Sequence, residues 1–303
     1  MTVILSVFVS DILPIFLIAG IGYVLARRLQ ANVKTLAHVA FYALVPCFAF
    51  RMLSTSRMTG PEAGRMAALA VLVTAAMGLL ARLVAIPLRL SRAELSGFLL
   101  VAMFSNGGNY GLPVVLFAFG NEALAPATVY FVTSAILTYT LGVFLAASGH
   151  RSIFRAILGI TRIPAIYGVT AALLVILTGI SIPVALTRPV QLLADAAIPV
   201  MILVLGMQLE RATTPKDPRV VAAAVGLSLV AAPFVALGLT SVLEISGAAR
   251  QSGVVLASMP TAVITTILAL EFDTAPMFVT NVVFVTTLLS PFTLAPLIAY
   301  LQR

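Results

Sequence analysis

The sequence predicts an all-α integral membrane protein of ten transmembrane helices, built as two inverted five-helix repeats with breaks in spans 4 and 9. Three observations lead there. The chain of 303 residues is 61% hydrophobic and 9% charged, with a mean hydropathy of +1.13. Its apolar stretches run for about 20 residues, the length that carries a helix across the hydrocarbon core. Its Lys and Arg residues are abundant in alternate loops and sparse in the others.

A soluble domain carries roughly 25% charged residues, and a chain with 9% could not cover a water-facing surface. In lipid every backbone polar group must be satisfied within the protein, which leaves helices or a closed barrel. The long unbroken runs exclude the short alternating strands of a barrel. They place spans near 4–26, 36–55, 65–88, 95–120, 125–147, 163–180, 190–208, 219–243, 249–270 and 275–300. Between spans 5 and 6, the stretch 151–162 holds Arg151, Arg155 and Arg162 and reads as an interfacial helix or cytoplasmic connector. The first stretch is not a cleavable signal, because no basic segment precedes it and Arg27 and Arg28 follow it.

Net charge is +8, from 18 Lys and Arg against 10 Asp and Glu. With the amino terminus outside, the odd-numbered loops and flanking helix ends hold Arg27, Arg28, Lys34, Arg82, Arg89, Arg92, Arg151, Arg155, Arg162, Arg211, Lys216 and Arg219. The other side holds Arg51, Arg57, Arg65, Arg188, Arg250 and Arg303. Cytoplasmic loops collect basic residues, so the bias predicts a multi-pass protein of the cell (inner or plasma) membrane with both termini outside. The basic residues occur singly or in pairs, which argues against nucleic acid as a partner. The single cysteine, Cys47, excludes an internal disulfide and a cysteine metal cluster.

Ten spans divide into 1–150 and 163–303, flanking the connector 151–162. An odd number of spans per half inverts the second half. Prolines fall within span 2 (Pro46) and span 7 (Pro199), and spans 4 and 9 are both interrupted. The interruption in span 4, from Ser105 to Pro113, holds Asn106, Asn109 and three glycines. Gly and Pro weaken a helix, and irregular backbone at membrane depth must be buried in protein or face water. The expected structure is a discontinuous helix whose second half starts near Leu112 and Pro113. Its free N–H groups would attract an anion, and Asn106 and Asn109 would add side-chain donors. The competing reading is a close-packing kink. In span 9, Pro260 and Thr261 interrupt the run and Ser258 could cap the following half-helix. Pro260 alone is equally an ordinary kink.

Residues Asn106-Gly-Gly-Asn-Tyr-Gly-Leu-Pro113 resemble the span-4 signature of the auxin efflux carrier family. Residues 257–262 resemble its span-9 signature, 195–209 its seventh span and 286–290 its tenth. The resemblance runs through the chain in order. It implies a compact bacterial-type transporter, related in fold to PIN auxin carriers and bile acid:sodium symporters, with broken, crossing helices 4 and 9. The implied activity is alternating-access transport of small organic anions, such as dicarboxylates or auxin-like carboxylates. The middle connector is too short for the long hydrophilic loop of many plant members. The implied substrate-binding positions are Asn106, Gly108, Asn109, Gly111, Pro113, Pro260 and Thr261.

Ionisable residues within spans are functional suspects. Asp195 is read either as a proton or support site or as a carboxylate at the membrane edge facing water. Asp11 reads as interfacial or structural, and His38 as a structural histidine that could titrate. Arg51 either snorkels to the interface or draws an anion into an outer vestibule. Tyr42, Cys47, Met52 and Met207 read as packing. No His, Asp, Glu and Cys residues have metal-ligand spacing, no Walker loop or serine nucleophile elbow occurs, and no cofactor is expected. A sodium site without assigned residues, a proton as co-ion, and a homodimer all stay open. The competing classes are an integral membrane enzyme, a channel and a non-transporting sensor.

Overall fold

The computed structural model describes residues 2–147, 163–209 and 217–303. The expected connector 151–162 lies outside the described residues, as do Arg151, Arg155, Arg162, Arg211 and Lys216. Among the described residues twelve helices follow one another: α1 (Val3–Leu29), α2 (Val33–Ser54), α3 (Gly60–Leu88), α4 (Arg92–Met103), α5 (Gly107–Phe119), α6 (Asn121–Ala146), α7 (Pro164–Thr178), α8 (Val184–Leu209), α9 (Pro218–Val242), α10 (Gly247–Ala257), α11 (Ile264–Phe272) and α12 (Pro276–Leu301). Seven of these (α1, α2, α3, α6, α8, α9 and α12) are long and apolar enough to cross a membrane. The described residues contain no strand, only one isolated antiparallel bridge between Ser105 and Thr261. Large apolar side chains such as Leu79, Leu83, Ile86, Phe234 and Phe292 face outward, the surface a bilayer solvates.

Local sequence explains where the helices start and widen. Thr59 with Glu62, and Ser91 with Glu94, form capping boxes at the starts of α3 and α4. Asn32 caps α2, and Asp217 caps α9 by accepting from two backbone N–H groups. Four helices contain a π turn ending two residues before a proline: Phe8–Ile12 before Pro14, Ala40–Leu44 before Pro46, Gly107–Gly111 before Pro113, and Leu227–Ala231 before Pro233. Proline removes one N–H and crowds the carbonyl four residues back. The residue before each proline therefore reaches back five: Leu13 to Phe8, Val45 to Ala40, Leu112 to Gly107 and Ala232 to Leu227.

The helices pack as two sets. In one, α8 lies on α1 and α2, and α7 lies on α2. In the other, α3 packs on α4, α6 and α9, α10 packs on α5, α6 and α9, and α12 packs on α4, α9 and α11. The sets meet where α8 touches the opening turn of α5, where the start of α1 touches α5 and α12, and where α2 touches α6. The contact between α1 and α8 is backbone to backbone. A Cβ on Gly206 would sit 1.7 Å from the Ala19 carbonyl oxygen, and one on Gly22 would sit 2.1 Å from that of Leu203. Small residues drive such packing in lipid, where helix association gains nothing from hiding apolar surface.

Gly206→Val should force α8 off α1, destabilising the protein by about 1–3 kcal/mol, the usual cost of overpacking. The readout is the unfolding temperature of detergent-purified protein. A variant that melts with the wild type would remove the close contact from the account.

Candidate functional site

The two interruptions meet inside the second helix set. α4 ends at Met103 and α5 begins at Gly107; α10 ends at Ala257 and α11 begins at Ile264. Four hydrogen bonds tie the gaps together, and they are reciprocal. The Asn106 N–H donates to the Pro260 carbonyl at 2.7 Å, and the Ala262 N–H donates to the Phe104 carbonyl at 2.8 Å. The Ser105 hydroxyl donates to the Leu256 carbonyl in the last turn of α10 at 2.8 Å. The Thr261 hydroxyl donates to the Val101 carbonyl in the last turn of α4 at 2.8 Å. Each gap's hydroxyl thus bonds a carbonyl in the last turn of the other's helix, where carbonyls lack full intrahelical partners. The Thr261 N–H also donates to Thr286 Oγ1 of α12 at 3.2 Å, anchoring the crossing to a third helix.

The structure brings Asn106, Pro260 and Thr261 together, all buried. Asn106 is 5% exposed, and its side-chain Nδ2 has no hydrogen-bond partner. A buried unmade hydrogen bond costs about 1–3 kcal/mol, so this amide is the polar group of the crossing most in need of a ligand. Asn109, in the first turn of α5, is half-buried and donates Nδ2 to Gln208 Oε1 of α8 at 3.4 Å. That contact spans the seam between the two helix sets. Gly108 is half-buried against the Phe131 ring, and Gly111 packs on Leu256 and Met259, so a Cβ there would lie 2.4 Å from Leu256 Cδ2. Pro113 is buried and sets the π turn upstream of it. Tyr110 is buried, stacks edge-on with Phe16 of α1 and shares a 3.1 Å hydrogen bond with Ser290 of α12.

One local expectation is extended and one needs correction. The α-helix in the second half of span 4 starts at Leu112 with Pro113 in its first turn, as expected, but a wound π turn, Gly107–Gly111, precedes it, so that α5 as a whole opens at Gly107. The amides of Gly108, Asn109 and Tyr110 therefore open α5, ahead of any carbonyl that could accept them within the helix. Ser258 does not cap α11. Its hydroxyl donates back to Val254 in α10 at 2.7 Å, and α11 has no side-chain cap.

Asp195 lies elsewhere. It is 13 residues before Gln208 on α8, about 20 Å along the helix axis. Its side chain is 58% exposed and forms an ion pair with Arg51 of α2, which is 30% exposed. The pair lines a cavity of about 230 Å³ together with Ile18, Met52, Phe117, Asn121 and Pro199. A second cavity, of about 10 Å³, lies beside the crossing among Thr74, Ser105, Tyr130, Ser134, Thr138 and Ser228, room for roughly one water. Asp11 is buried; it accepts from Ser10 Oγ at 2.5 Å and from Gln302 Nε2 at 3.3 Å. His38 and Tyr42 are exposed and in edge-on contact, while Met207 is buried. Among the described residues, no group of three His, Cys, Asp or Glu side chains could hold a metal ion.

Sequence reasoning missed Gln208 and the partnership of Arg51 with Asp195. Gln208 carries no charge and so escaped a search for ionisable residues, although it is an amide in an otherwise apolar turn. The ion pair joins positions 144 residues apart, and no local pattern announces it.

The comparisons agree with this architecture. A family model described as "Membrane transport protein" matches residues 7–298. An uncharacterized transporter of Methanothermobacter thermautotrophicus is 26% identical over 289 residues, covering 93% of this chain and 94% of its own. An uncharacterized transporter of Methanocaldococcus jannaschii is 23% identical over 296 residues, covering 92% and 94%. With its interrupted helices joined at a common crossing and a family match running almost end to end, the chain belongs to the membrane transport proteins of the auxin efflux carrier family.

Proposed function

We propose that the protein is a secondary carrier of small organic anions, dicarboxylates or auxin-like carboxylates, working by alternating access. The observation that carries the reading is the unpartnered Asn106 amide, buried at the crossing beside the amides that open α5. A carboxylate has two acceptor oxygens and no donor. It would accept from Asn106 Nδ2, from Asn109 Nδ2 and from the amides of Gly108 and its neighbours. Helix amino ends favour such a charge. Gly111, Pro113, Pro260 and Thr261 serve by holding the break open, since the N–H and hydroxyl of Thr261 are already engaged.

In this reading α4 with α5, and α10 with α11, each make one span, giving ten. Residues 1–150 and 163–303 form two five-span repeats, inverted about the connector 151–162, with both termini outside the cell membrane. The reciprocal bonds at the crossing support the inversion, because an axis that exchanges the two gaps would produce such a pattern. The set containing α5 and α10 moves against the set containing α2 and α8. The Asn109–Gln208 contact lies on the seam that this movement would open. Asp195 is a supporting carboxylate, held by Arg51 away from the crossing. Transport further requires outward and inward states of similar energy.

Purified protein in liposomes should take up labelled malonate, succinate or phenylacetate with saturation, and should show counterflow when the lumen is preloaded. Flux that rises linearly with concentration and shows no counterflow would mark a channel instead. Asn109→Ala should cut uptake by about tenfold or more, the loss expected from one hydrogen bond to a charged group. Its unliganded melting temperature should stay close to the wild type, because the 3.4 Å bond it loses is long. Wild-type uptake in that variant would take Asn109 out of the binding site.

A further inference from the structure

A cavity with room for an organic anion lies away from the crossing. Beside the crossing the space is about 10 Å³, whereas the cavity at Arg51 and Asp195 is about 230 Å³. That larger cavity straddles the seam. Arg51, Asp195 and Ile198 come from α2 and α8, while Phe117 comes from α5 and Leu124 from α6. Among the described residues its only charged lining side chains are Arg51 and Asp195, set among apolar neighbours and Asn121. A guanidinium in such a place is built to take a carboxylate, with up to two parallel N–H···O bonds. The carboxylate it holds here is the protein's own.

We propose that Arg51 is a second carboxylate-binding site, passed on the way to the crossing, and that Asp195 is its resident competitor. This rests on the organic-anion reading above. Both partners of the pair are accessible, and exposed ion pairs contribute little stability. An arriving anion can therefore replace Asp195 on Arg51 at small cost. When the anion moves on, Asp195 returns and leaves the cavity neutral, so the guanidinium does not trap its ligand. The wall shared with α5 places the cavity at the far end of the helix whose first turn holds Asn109. One helix thus links the two stations.

The proposal requires variants of opposite sign. Equilibrium binding of labelled malonate and of labelled phenylacetate is measured on purified full-length protein in detergent, with melting temperature as the control for folding. Asp195→Asn should bind the better probe about two- to fivefold more tightly, since a weak competitor has been removed. Arg51→Gln should bind it at least about tenfold more weakly, and Arg51→Lys should restore part of the loss. A purely structural pair would lower affinity in both variants or in neither, and either result overturns the site. Should Arg51→Gln fail to fold, the rise in Asp195→Asn still decides. Wild-type protein that binds the probes, with variants indistinguishable from it, overturns this site and spares the crossing. Wild-type protein that binds neither probe overturns both readings. Binding displaced by added anionic phospholipid in the wild type but not in Arg51→Gln would mean that Arg51 holds a lipid headgroup, which also overturns the proposal.

Discussion

The architecture depends on the reciprocal bonding of two interrupted helices. Between α4 and α5, and between α10 and α11, the backbone leaves its helical pattern inside a protein whose outer surface is apolar. Water cannot repair those groups at membrane depth, and each one left unsatisfied would cost several kcal/mol. The chain has one economical answer, which is to let each gap complete the other. Phe104 and Pro260 supply carbonyls, Asn106 and Ala262 supply amides, and the hydroxyls of Ser105 and Thr261 reach the last turns of the opposite helices. Neither interruption could exist alone. The irregular sequence of span 4 is tolerable only because span 9 is irregular at the matching place.

Against that background the unbonded Nδ2 of Asn106 stands out. The crossing satisfies the backbone of this residue twice over, as donor to Pro260 and as acceptor from Gly111, yet leaves the side chain unmatched. A leucine would fill comparable space with no such penalty. The same contrast holds for Asn109, whose single long contact to Gln208 is the kind of bond that breaks without much loss. A rigid framework therefore presents loosely committed amides, the combination expected where a ligand must be bound and then released.

Much of this was legible in the sequence, and the limits have physical reasons. The breaks at 105–113 and 257–262 were visible because Asn, Gly and Pro are conspicuous among Leu, Val and Ala. Their mutual bonding was foreshadowed only by their paired placement in the two halves. The wound turn Gly107–Gly111 ahead of the α-helix that starts at Leu112 was not foreseen, because proline was read only for its place in a first helical turn. In this fold it acts on the turn before it, as Pro14, Pro46 and Pro233 also do. Ser258 was read as a cap for the helix after it, but a serine at a helix end can equally donate back to the carbonyl four residues earlier, and here it does. The long-range pair of Arg51 and Asp195 lay beyond any periodicity, because only folding decides which charge meets which.

The placement of charge completes the reasoning. Among the residues that build the crossing none is ionisable apart from Tyr110, and the donors there are amides and hydroxyls. A fixed positive charge at such depth would carry a large desolvation penalty whenever the site was empty. It would also hold an anion too firmly for a carrier that must release it on the other side. Oriented dipoles avoid both difficulties, since they cost little when empty and bind moderately when filled. The formal charge sits instead at the accessible cavity, paired with Asp195, and in the proposed scheme it is unmasked only while an anion takes the carboxylate's place. In that scheme, separating a charged point of capture from an uncharged point of translocation would let one protein attract a negative solute without becoming its permanent resting place.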